Sequence, residues 1–215
     1  MKIFSFFLGT LLFLSLFSGI ETLRASQLKT SLNKYKDSSV SNQTLKRLSP
    51  YNDFINYYSR FSFFRKNHKV SPDFIRALII AESSVNPMAV SSKGAMGLGQ
   101  IMYSTGKQAA RELAKSGYIF RDITPGKLSN LQREDLFDPA MNILLTCYLI
   151  SKYNHKFNGK LELVLSAWNA GENHEDLKKG IPVTYQETQN LIGKINAYYI
   201  YLLQKRKRIS IYSRP

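Results

Sequence analysis

Glu82 ends a segment that otherwise reads as a buried helix, and an acid in that place can move a proton. Ile75, Leu78 and Ile79 lie seven, four and three residues before it, so at the helical period all four side chains share one face. Taken out of water, a carboxyl resists ionisation. Its pKa then climbs from about 4.3 toward what a general acid needs at neutral pH. A satisfied acid, capped by amides and doing no chemistry, would fit the same position. The residues that follow favour a site. Gly94, Gly97 and Gly99 fall within six positions, a spacing suited to tight turns or to a floor that a bulky ligand approaches closely. Gln100 adds an amide and Met102 a soft apolar contact. Together they describe one wall of a cleft for a neutral ligand rich in hydroxyls or amides. A phosphate cradle is disfavoured, because no lysine follows in P-loop order and no G-x-G-x-x-G occurs.

The elements that must hold this wall are legible around it. Ser71 is an N-cap with Pro72 at the first helical position, so a helix is expected from about Pro72 to Ser84, stopped by Asn86 and Pro87. A second should run from near Ser104 to near Gly117, followed by a loop from Tyr118 to Phe137. Asp138 and Pro139 open a long helix that Asn158 and Gly159 close. A short helix is expected from Lys160 to about Trp168. A last one should begin near Thr184, with Ile192, Ile195 and Tyr199 on one stripe. Upstream, Tyr51, Phe54, Tyr57, Tyr58, Phe61 and Phe64 recur at helical intervals and predict an amphipathic helix. Only residues 94–103 suit a hairpin. The expected fold class is all-α, with at most that small hairpin near the site.

At this point the chain resembles a known family. Residues 71–102 are similar to the catalytic core of the soluble lytic transglycosylases, whose fold is like goose-type lysozyme. LFDPAMNILLTCYLI (136–150) is similar to the family's helix that opens with Asp-Pro and carries Asn-Ile. LVLSAWNAG (163–171) and IPVTYQET (181–188) are similar to its alanine-rich helix with an Asn-Ala-Gly turn and to its terminal Glu-Thr. The motifs occur in the family's order over about residues 50–204. By this resemblance Glu82 is the single catalytic acid. Ser91 helps orient the sugar, and Gln100 and Met102 line sugar subsites. Asn169 belongs to the Asn-Ala-Gly turn, and Glu187 is a second glutamate supporting the cleft. Three positions depart from the pattern: Gly99 where methionine is usual, Tyr103 where proline is usual, and Trp168 where a tyrosine is usual. Tryptophan keeps a stacking face but offers only an N–H donor.

The resemblance implies a reaction on peptidoglycan glycan strands. Ordinary glycosidases use two carboxylates; this family uses one. The acid protonates the glycosidic oxygen between N-acetylmuramic acid and N-acetylglucosamine. It then takes a proton from the muramic C6 hydroxyl, which closes on C1 to give a 1,6-anhydro sugar. No aspartate or glutamate lies between Glu82 and Arg111, so a second carboxylate would have to come from afar, as Glu187 could. Two alternatives stay open: a hydrolytic muramidase of the same fold, and a non-catalytic wall-binding protein.

Composition frames this. Ile3 to Phe17 is an uncharged, mostly apolar run after Lys2, short for a membrane span and suited to a secretion signal. Residues 1–20 are therefore expected to be a signal peptide or an N-terminal anchor, 21–49 a polar linker or loose helix, 50–204 the catalytic domain and 205–215 a basic tail. Periplasmic or exported localisation follows. The net charge of +15 draws the chain to polyanions. For an exported protein these are stem-peptide carboxylates, anionic envelope polymers or a membrane surface. A single small catalytic domain also suits a secretion or flagellar assembly. The run Lys205–Arg208 raises nucleic acid as a rival, but no nucleic-acid-binding motif accompanies it, so none is expected. His68, His155 and His174 lack the spacing of a metal site, and no metal or other cofactor is expected. The lone Cys147 cannot form an internal disulfide and reads as core. A monomer is expected.

Overall fold

The computed structural model describes residues 27–212, with side chains as far as 207. The proposed signal segment, residues 1–20, lies outside the described residues. In chain order the described elements are α1 (27–35), α2 (Asn42–Leu48), a 3-10 turn (Ser49–Tyr51), α3 (Asn52–Tyr58) and α4 (Pro72–Ser83). Then come β1 (Ala95–Met96), β2 (Ile101–Met102), α5 (Tyr103–Ala114), α6 (Pro125–Ser129) and a 3-10 turn (Glu134–Phe137). The chain finishes with α7 (Pro139–Lys156), α8 (Leu161–Ala170), α9 (Glu175–Lys178) and α10 (Gln186–Tyr212). The fold is mainly helical, with one two-stranded antiparallel hairpin that pairs Ala95 with Met102 and Met96 with Ile101.

α7 is the centre. Its residues are apolar nearly all round, so it is enclosed from Ala140 to Ile150 without a break. Asp138 caps its first turn, with Oδ1 accepting from the Ala140 amide at 2.9 Å. α3, α5 and α8 pack around it. α4 starts as expected, with the Ser71 hydroxyl accepting from Phe74 N. It buries Ile75, Leu78 and Ile79 completely and lies along α10. Cys147 is buried in the core. Among the described residues no helix is long and apolar enough to cross a membrane.

One region differs from the sequence expectation, and two that it left loosely described take definite form. The aromatic helix stops at Tyr58, because Arg60 N bonds Tyr57 O and Phe61 N bonds Tyr58 O, turns too tight to propagate an α-helix. Phe61 and Phe64 still reach the core from irregular chain, their rings 5.1 Å from Phe120 and 5.2 Å from Tyr148. The described part of the region expected as a polar linker or loose helix forms α1 and α2. Its sparse leucines are enough, since Leu48 is buried and Leu28 and Leu45 pack on the core. α1 also docks on α10, where the Ser31 hydroxyl donates to Gln189 O and a Cβ on Gly193 would come within 2.7 Å of Ser31 O. The basic tail is described as far as residue 212. α10 continues through it, and Arg206 pairs with buried Asp73 of α4 at 3.0 Å.

Candidate active site

Glu82 stands in the last turn of α4, one residue before its end. The helix stops abruptly because Ser84 and Val85 both adopt left-handed backbone, at φ 52° and 64°. That conformation is strained for a β-branched residue. Val85 is nevertheless buried, so packing holds the break in place. The Glu82 side chain is half-buried. Its Oε1 accepts a 2.7 Å hydrogen bond from the Trp168 indole Nε1. Burial pushes its carboxyl up to about 7, and the charge of Glu187 adds to the rise. The Trp168 hydrogen bond and the charge of Lys194 pull the other way.

The hairpin that follows is held by α7. Asn142 is fully inside; its Oδ1 accepts from Gly99 N at 2.8 Å, and its Nδ2 donates to Met96 O at 3.0 Å and Leu136 O at 2.8 Å. The glycines are explained by this contact. A Cβ at Gly97 would fall 2.3 Å from Asn142 Nδ2, and one at Gly99 would fall 2.3 Å from Thr146 Oγ1. Gly97 also has φ +74°. The hairpin thus rests directly on the helix, backbone against side chain.

A groove of about 290 Å³ opens between this hairpin and α7–α8. Gln100, Ile101, Met102 and Thr105 form one side, and Leu149, Tyr153, Trp168, Asn169 and the turn to Gly171 form the other. A larger hollow lies between the α4 end and α2, lined by Arg47, Tyr51 and residues 83–87. Glu82 is not itself part of the groove lining. It meets the groove through the edge of Trp168, one of the lining rings.

The residues singled out from the sequence fall into two groups. Gln100, Met102, Trp168 and Asn169 line the groove. Gln100 has left-handed backbone, φ 51°, and spends its amide N–H groups on Ala89 O and Gly97 O. Its Oε1 has no partner among the described residues and remains available as an acceptor. Asn169 donates to the Thr188 hydroxyl at 2.7 Å, which ties α8 to α10. Ser91 and Glu187 are not in the groove lining. Ser91 closes the turn before β1, its hydroxyl accepting from Ala95 N at 3.0 Å and its amide donating to Ala95 O at 2.9 Å. Glu187 is exposed and pairs with Lys93 at 2.6 Å. Of the remaining departures, Tyr103 donates to Leu131 O at 3.2 Å, a tie between α5 and the loop that proline could not make. Among the described residues no group of His, Cys, Asp and Glu could hold a metal ion.

Sequence reasoning missed four contributors. Asn142 staples the hairpin. The Ser166 hydroxyl accepts from Val183 N at 3.0 Å and fixes the approach to α10. Lys194 places a positive charge near Glu82. Tyr153 lines the groove from α7. A polar residue within an otherwise apolar helix was the available signal for Asn142.

Comparison with known proteins agrees with this geometry. The family model described as "Transglycosylase SLT domain" matches residues 61–190. A curated relative from Haemophilus influenzae, named "Putative soluble lytic murein transglycosylase", is 30% identical over 173 residues, which is 73% of this chain and 27% of the relative. The crystal structure of the 70 kDa soluble lytic transglycosylase from Escherichia coli superposes with a TM-score of 0.55 at 24% identity, covering 73% of this chain and 24% of that one. An inactive mutant of the lytic transglycosylase Slt from Pseudomonas aeruginosa gives 0.54 at 21% identity, over 72% of this chain and 24% of that one. At those identities the two structures speak for the fold. The chain spans only about a quarter of the length of these relatives. Together with the helix-end acid and the hairpin stapled to α7, the match over residues 61–190 establishes that the chain belongs to the Transglycosylase SLT domain family.

Proposed function

We propose that this protein is a peptidoglycan lytic transglycosylase in which Glu82 acts first as acid and then as base. The observation that carries the reading is the Glu82 carboxyl, poised at about 7 by burial and held by Trp168 at the edge of a groove with room for a sugar. A group with that pKa is partly protonated at neutral pH and can both give and recover a proton within a turnover. Trp168 defines which oxygen does so. Its N–H only donates, so Oε1 is an acceptor in both protonation states and the mobile proton resides on Oε2. That proton goes to the glycosidic oxygen between N-acetylmuramic acid and N-acetylglucosamine, and the C1–O bond breaks. The ionised carboxylate then removes the proton of the muramic C6 hydroxyl as its oxygen bonds C1. The product is the 1,6-anhydro sugar, and no water is consumed. Glu187 is a poor second carboxylate for an ordinary glycosidase, because it lies exposed against Lys93.

A hydrolytic muramidase uses the same acid with water as acceptor. Mass analysis of muropeptides released from purified peptidoglycan separates the two, since the anhydro product is lighter by one water. Glu82→Gln is expected to abolish release while leaving binding to sacculi intact. Cleavage at the wild-type rate by that variant would refute the mechanism. The reading places the protein in the cell envelope, where its basic balance favours anionic wall polymers. A small exported enzyme of this kind suits local opening of the wall for a secretion or flagellar apparatus.

A further inference from the structure

Tyr153 lies on α7 with 3% of its surface exposed, yet it lines the groove beside Leu149. Its hydroxyl has no hydrogen-bond partner among the described residues. Among the described residues the sealed side-chain atoms that lack a hydrogen bond are Asp73 Oδ2, which has the Arg206 ion pair, and Gln189 Oε1. The Tyr153 hydroxyl is not one of them, so its oxygen is not sealed, and the groove is the hollow that this residue lines. Burial, followed by the charges of Glu172 and Glu112, drives its ionisation upward, so it stays a neutral donor at any working pH. A phenol left without a partner in an apolar wall invites an acceptor.

The surroundings narrow the chemistry of that acceptor. Leu149, Ile101, Ala167 and Ala170 are apolar neighbours in the same lining. A sugar hydroxyl would satisfy the phenol and leave those surfaces uncovered. An acetamido group brings a carbonyl oxygen for the phenol and a methyl for the apolar wall. A free amine fits badly: no carboxylate lines the groove, and Lys93 stands in its wall. We propose that the Tyr153 hydroxyl donates a hydrogen bond to the acetamido carbonyl oxygen of an N-acetylhexosamine in this groove, making Tyr153 a specificity-determining residue for N-acetylated glycan. The inference rests on the glycan-cleaving function proposed above. It also returns a hydroxyl to a groove in which Trp168 supplies none.

Calorimetric titration of the full chain with N-acetylated chitotetraose and with its de-N-acetylated counterpart tests it. Tyr153→Phe keeps the ring, and a wild-type melting temperature verifies its packing. The expected result is roughly fivefold to tenfold weaker binding of the acetylated oligomer by Tyr153→Phe, the effect of one neutral hydrogen bond. The de-N-acetylated oligomer should bind weakly and equally to both proteins. Equal affinity of both proteins for the acetylated oligomer overturns the inference, as does the same loss for both oligomers. Muropeptide release by the wild type then separates this failure from failure of the proposed reaction. If the wild type binds neither oligomer yet releases muropeptides, the inference falls and the reaction stands; if it does neither, both proposals fall.

Discussion

The two walls of the groove are built on different plans. One belongs to a single stretch that starts at Glu82, itself outside the lining, and runs through the glycine hairpin to Met102. Its shape is set by backbone: two left-handed residues after α4, a third at Gln100, and glycines seated on Asn142 and Thr146. The other is assembled from α7 and α8, with α8 tied to α10, and its shape is set by side chains. Trp168 meets Glu82 across 86 residues of sequence, and Asn169 meets Thr188 between helices. The first wall has little freedom to vary without unfolding. The second can exchange one side chain for another and retune the same acid. The tryptophan at 168 is such an exchange.

Substitutions put this contrast to the test. The largest effect belongs to Glu82→Gln. Beyond the loss of lysis, it should stabilise the fold at alkaline pH. The carboxyl titrates near 7 when folded and near 4.5 when unfolded, so wild-type stability falls as pH rises from about 4.5 through 7. The glutamine variant escapes that loss and should gain on the order of 3 kcal/mol at pH 8 and nothing below pH 4. Urea unfolding at the two pH values reads the difference; equal stability at pH 8 would mean that the carboxyl is not desolvated. Asn142→Ala comes next. It leaves Gly99 N, Met96 O and Leu136 O without partners. Its cost should be about 2–4 kcal/mol in urea midpoints, with activity and stability lost together.

Trp168→Phe should do the opposite, sparing the fold while changing the acid. Losing the indole N–H raises the pKa of Glu82, so the alkaline limb of the activity profile should move to higher pH. The rate should drop about tenfold as the carboxyl loses its orientation. Trp168→Tyr, which restores a donor, should recover part of both. An unmoved pH profile would show that the indole only packs. The smallest effect is expected at Lys93→Ala, whose exposed ion pair with Glu187 ties the segment before the hairpin to α10. Stability should change by less than about 1 kcal/mol, and any change in rate should vanish at high salt.

The backbone-built wall was legible because its signals are local. A capped helix with an acid on its apolar face, a proline stop and close-set glycines can be read from neighbours in sequence. α7 was legible for the same reason. The short helices α6 and α9 were not, although Thr124 and Pro125 form an N-cap and first turn. Their few turns carry too little periodicity to stand out from a loop. The side-chain wall was only half visible. Trp168 and Asn169 came from motif order, but Tyr153 reads as one more aromatic on a buried helix until the groove beside it is seen. By resemblance Ser91 is expected to orient the sugar and Glu187 to support the cleft. The turn before β1 claims the Ser91 hydroxyl, and Lys93 claims the Glu187 carboxylate. Those are competitions between neighbours in space, and spacing along the chain does not reveal them.

Gly99 and Thr146 share one parcel of volume, and that has a consequence for how such sequences can drift. A methionine at 99, usual in the chains this one resembles, cannot be accommodated while threonine occupies 146. Each enlargement of the hairpin needs a matching contraction of the helix, in the same step or before it. The two positions should therefore behave as one heritable unit, and grafting either residue alone into a relative should carry a folding defect that the second one repairs.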